Sequence, residues 1–111
     1  MAKYLINATY TAEGLSALKK ESPLNRMWAV KDAVASVGGK LEAMYWALGE
    51  DEAILILDLP DAETAAALSM QVGAEGLVRT KTTRLIPLRD MEKSLAQVID
   101  YRVEKNGPKN P

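Results

Sequence analysis

From Lys3 to Tyr10 the chain alternates between two faces. Tyr4, Ile6, Ala8 and Tyr10 share one side and Leu5, Asn7 and Thr9 the other, which predicts a first strand. The period then lengthens. Thr11 can cap a short helix over TAEGLSALKK, with Glu13 favourable in its first turn. Ser22-Pro23 restarts the helix, with Ser as cap and Pro at the first helical position. Met27, Val30, Val34 and Val37 recur at spacings of three or four and form a stripe suited to packing on a sheet. Gly38-Gly39 closes this helix, because glycine takes the left-handed conformation that helix ends use.

Lys40 to Leu59 reads as a hairpin around the acidic turn Gly49-Glu50-Asp51-Glu52. Its second arm, Ala53 to Leu57, is apolar on both faces and must be covered twice. The first arm, Leu41 to Leu48, is also apolar on both faces and includes Met44, Tyr45 and Trp46. Pro60-Asp61 starts a second helix over Asp61 to Ala74, striped with Ala62, Ala65, Leu68 and Val72 and terminated near Gly76. Leu77 to Ile86 is a last strand, stopped by Pro87, and a third helix is expected from about Arg89 to Tyr101, with Met91, Leu95, Val98 and Ile99 on one side.

The order strand, helix, strand, strand, helix, strand predicts an α+β fold of ferredoxin-like βαββαβ type with an added C-terminal helix. One domain over residues 1–103 is expected, followed by a polar, breaker-rich tail over 104–111 with the composition of a disordered end. Two helices on one side of a sheet cover one face only, and the C-terminal helix could cover part of the other. Packing against a second copy of the sheet is the more economical solution, so a homodimer of dimeric α/β-barrel type is expected.

Composition narrows the chemistry. The 111 residues contain no cysteine and no histidine. Thiolate nucleophiles, disulfides and zinc-finger arrangements are therefore excluded, as are the usual neutral-pH base and the histidine ligand of haem. Catalysis would have to use carboxylates, Lys, Arg, Tyr or an outside cofactor, and no cofactor is implied. A net charge of -1 provides no positive field for nucleic acid or anionic lipid. No secretory signal and no membrane-spanning run is visible, so a cytoplasmic location and no membrane partner are expected.

Tyr4 with Tyr10-Thr11-Ala12-Glu13-Gly14, then Gly38-Gly39-Lys40-Leu41-Glu42, then Leu48-Gly49 ahead of an apolar strand ending Asp58-Leu59-Pro60-Asp61, then Val78-Arg79-Thr80-Lys81-Thr82, form an ordered set. Together they resemble the GYD-domain family of small bacterial and archaeal proteins, over roughly Met1 to Tyr101. The resemblance implies a ferredoxin-like domain of the dimeric α/β-barrel kind and no established activity. The chain departs from the family at its namesake. Gly49 is followed by Glu50-Asp51-Glu52, so Asp51 and Glu52 stand at the tyrosine and aspartate positions and a role needing a phenol there is not carried over.

Several residues could carry chemistry. Glu50, Asp51, Glu52, Asp58 and Asp61 are acidic residues placed around one end of the hairpin; they are expected to be a solvated turn plus a helix cap at Asp61, although a hard cation is the other use of such oxygens. Their spacing is not that of a calcium loop, and no metal is expected. Arg79, Lys81 and Arg84 either bind an anion or protect an edge strand. Tyr45 and Trp46 point to opposite faces, one toward the helix-side core and one toward a partner sheet or cavity. Asn7 is either a satisfied polar group between sheets or a ligand-orienting amide. Asn7, Tyr45, Trp46 and Arg79 are thus the candidate ligand-binding residues.

Two functions follow. One is a non-catalytic, homodimeric small-molecule-binding or regulatory module. The other is a small cofactor-independent enzyme, an isomerase or oxygenase acting on an aromatic or quinone-like substrate in a cleft between sheet and helices, by analogy of fold.

Overall fold

Four strands form one antiparallel sheet: β1 (Ala2–Tyr10), β2 (Lys40–Ala47), β3 (Glu52–Leu59) and β4 (Val78–Leu85), in the spatial order β2-β3-β1-β4. The computed structural model describes residues 1–50 and 52–102, so Asp51 of the turn and the tail expected to be disordered lie outside the described residues. The helices are α1 (Ala12–Glu21), α2 (Pro23–Ser36), α3 (Ala62–Ala74) and α4 (Leu88–Ala96). Because β1 pairs antiparallel with both β3 and β4, and β2 with β3, the two crossovers are the split strand-helix-strand units of a ferredoxin-like fold.

Alternation decides the faces. Tyr4, Ile6 and Ala8 on β1, with Ala53, Leu55, Leu57 and Leu59 on β3, are buried beneath the helices. Leu57 and Leu59 are wholly enclosed, and each such side chain stabilises the fold by about 1.5–3 kcal/mol. Val34 of α2 and Ala65 of α3 are buried in the same apolar core. Of the expected α2 stripe, Met27 and Val30 are half-buried and Val37 is exposed. A bulge between Leu41 and Ala43 shifts the β2-β3 register and leaves Glu42 as the extra residue.

The caps follow the sequence. The Thr11 hydroxyl accepts from the Gly14 amide at 3.0 Å, and that of Ser22 from the Asn25 amide at 3.2 Å. Asp61 Oδ1 accepts from the Thr64 amide at 2.8 Å. Thr11 also donates to the Gly76 and Leu77 carbonyls, which pins α1 to the entry of β4. Gly14 completes that junction, since a Cβ there would overlap the Leu77 carbonyl. Ser22, at φ 91°, makes the sharp step from α1 to α2.

Two expectations are corrected. The last helix ends at Ala96, short of Tyr101, because the Gln97 backbone turns extended. It also does not cover the second sheet face: Leu88, Leu95, Val98 and Ile99 are exposed, and α4 packs closely on no other element. The other face of the sheet, with Leu5, Ile54 and Ile56 at its centre, therefore carries no element of its own chain among the described residues. These side chains are only half-buried.

Candidate functional site

Helices α2 and α3 lie on the same face of the sheet but do not pack closely on each other. Helix α2 packs beside β2, and α3 beside β4. Between them the helix-side surface of β1 and β3 is left open along an apolar cleft. Alanine makes the room. Ala8 and Ala53 form the floor, and Ala29 and Ala33 line the α2 wall. Val30 and Val34 face Leu68 and Val72 across it. The space is about 240 Å³, and Ser69, Thr80, Glu75 and Arg26 are its polar lining.

A second space of about 320 Å³ continues toward α1 and the far end of β2. It is lined by Leu18, Pro23 and Leu24 at the α1-α2 step, with Trp46 and Tyr45 on the strand side. Tyr10, Arg26, Met44 and Ala53 border both spaces, so the two adjoin. The rings of Tyr10 and Trp46 sit 5.5 Å apart and tilted by 53°, a favourable aromatic pair at the mouth. The Ser69 and Thr82 hydroxyls hydrogen-bond at 2.6 Å between α3 and β4 and close the opposite edge.

The four sequence-derived candidates do not converge. Trp46 lies opposite Ala53 on the helix side and borders the cleft, whereas Tyr45 lies opposite Ile54 on the other face, as their alternation predicts, and touches the cleft only from the β2 edge. Asn7 and Arg79 occupy the other face of the sheet, in register with Ile54 and Thr9. Neither hairpin aromatic enters the core: Tyr45 is 65% and Trp46 43% exposed, because β2 is an edge strand. Asn7 finds its partner across the sheet. Its Nδ2 donates to Glu52 Oε1 at 3.1 Å, and Thr9 Oγ1 donates to Glu52 Oε2 at 3.1 Å. Glu52 is thus the first residue of β3, tied to β1, and no part of a free turn.

The acidic residues are also dispersed. Asp58 and Asp61 sit at the opposite end of β3 from Glu52. Asp58 and Glu42 both pair with Lys3, at 3.1 and 3.2 Å, and these hydrogen bonds hold the Lys3 pKa above its ordinary value. The Thr64 hydroxyl and amide hold the Asp61 carboxyl below the usual carboxylate range. Among the described residues no three carboxylates converge on one point. Arg79, Lys81 and Arg84 do lie on an edge strand, β4.

Arg26 escaped the sequence reading, as did the alanines that open the cleft. The available signal was a cation in the first turn of α2 where no acidic residue stands, and small residues on the shoulder of the Val30-Val34 stripe.

The family model of the GYD domain matches residues 4–95, and the chain belongs to the GYD-domain family. No curated protein and no solved structure matches the chain significantly. Among the described residues no helix is long and apolar enough to cross a membrane.

Proposed function

We propose that this member of the GYD-domain family is a homodimeric module of the cytoplasm that binds a small apolar molecule in the cleft between α2 and α3, without catalysing a reaction. The observation that carries the reading is the mainly apolar space between α2 and α3, adjoined by a second along Tyr10, Arg26, Met44 and Ala53. Ligand sites are concave, mostly apolar and furnished with a few polar groups, and this cleft has that make-up. The groups held furthest by their surroundings, Lys3 and Asp61, serve an ion pair and a helix cap away from the cleft. Nothing in the lining pairs a nucleophile with a base. Pairing of two copies through the uncovered sheet face supports the cleft indirectly, since it would brace β1 and β3, which form its floor.

Native mass spectrometry of the purified chain tests the proposal. A co-purifying small molecule is expected, and Ala33→Trp should abolish it, because the indole would fill the cleft from the α2 wall while position 33 is exposed enough to accept it. A bound molecule that survives Ala33→Trp with unchanged occupancy would place the ligand elsewhere and contradict the reading.

A further inference from the structure

The cleft has one cation at its waist. Arg26 borders both spaces, and in the one toward α1 it is the sole charged lining residue. In the other it shares the lining with Glu75, an exposed residue near the end of α3, and the two are not ion-paired. Among the described residues the ion pairs are those of Lys3, and none of those carboxylates lies within 4.0 Å of Arg26.

Its position sharpens the point. Arg26 lies in the first turn of α2, which contains no acidic residue. The N-terminal end of a helix carries a partial positive charge, so a cation there is on the unfavourable side of the helix dipole. Arg26 is half-buried and lines this space together with Met44, Leu24 and Ala53, and a cation in this field is best matched by an anion.

We infer that the ligand of the cleft is an apolar monocarboxylate, with Arg26 holding the carboxylate and the Tyr10, Met44 and Trp46 side chains contacting the body. This rests on the reading of the cleft as a small-molecule site. The planar guanidinium can donate two parallel hydrogen bonds to a carboxylate. A phosphate dianion is a poor fit: one cation in a mainly apolar lining would leave half of its charge uncompensated after desolvation. A cationic ligand would meet Arg26 as a like charge.

The test compares 2-naphthoate with its neutral counterpart 2-naphthalenemethanol by isothermal titration calorimetry on the full chain. A hydrogen-bonded charge contact predicts that the wild type prefers the carboxylate by about tenfold or more. Arg26→Met and Arg26→Gln should bind the alcohol as the wild type does and lose the preference, with circular dichroism and melting temperature confirming the fold of each variant. Equal affinity of the wild type for both probes, or a preference that survives both substitutions, would overturn the inference and leave the cleft as a neutral apolar site. Failure of both probes to bind the wild type would remove the cleft reading and the inference with it.

Discussion

Glu52 is a strand residue because two β1 side chains hold it there. Asn7 and Thr9 each donate to one of its carboxylate oxygens. Substituting Asn7→Ala and Glu52→Ala singly and together should give a coupling of about 1 kcal/mol in chemical denaturation, the usual worth of one such bond. Strict additivity would mean that the contact contributes nothing to stability. Asp61 allows a second expectation. Its pKa is lowered in the fold by the Thr64 hydroxyl and amide, so its contribution is present above the unfolded carboxylate pKa and lost as pH falls through the folded one. Asp61→Asn should therefore lower the melting temperature at pH 7 and flatten its decline below about pH 4. An acid limb identical to that of the wild type would show that Asp61 is not the titrating cap. Lys3 carries the opposite sign: its raised pKa gives a contribution present at neutral pH and lost only as strongly alkaline pH passes the folded value.

The elements were legible in the sequence wherever one local rule decided them. Alternation placed β1 within a residue of its observed ends, the two-faced apolar run placed β3 within two, and Thr11, Ser22, Asp61 and Gly76 marked helix boundaries through caps and a left-handed turn. What depended on distant parts of the chain was less legible. Adjacency in sequence grouped Asp58 and Asp61 with Glu52, whereas the length of β3 separates them. The gap between α2 and α3 has no local signature, because it arises from helices settling over opposite edges of one sheet. Helix α4 was overextended because its apolar spacing continues through Val98 and Ile99 after the backbone has left the helix. The α1-α2 step bears on the cleft through Leu18, Pro23 and Leu24. Ser22 adopts φ 91° there, a region that costs a non-glycine residue about 1–3 kcal/mol. Replacing a serine N-cap by glycine costs only a few tenths, roughly, beyond the added freedom of the unfolded chain. Ser22→Gly should therefore leave stability unchanged or raise it by up to about 1 kcal/mol. A loss larger than that in thermal or denaturant unfolding would mean that the hydroxyl cap outweighs the strain.

At the scale of the whole molecule, α2 and α3 cover one face of the sheet and, among the described residues, Leu5, Ile54 and Ile56 on the other face and the apolar side of α4 have no close partner. Burying several hundred Å² of such surface at roughly 25 cal/mol per Å² favours association by several kcal/mol before its entropic cost. Light scattering after size exclusion should return twice the chain mass of 12.1 kDa, and Ile54→Lys should shift it toward the monomer. A wild-type monomer with no concentration dependence would remove the dimer from the account. The two faces also separate binding in the helix-side cleft from its nearest rival, ligand binding between paired sheets. Methyl-resolved NMR during titration with 2-naphthoate reads both at once. Binding in the cleft should shift Val30, Leu55, Leu68 and Val72, which line it, with Leu5, Ile54 and Ile56 undisturbed. Shifts confined to Leu5, Ile54 and Ile56 would contradict it.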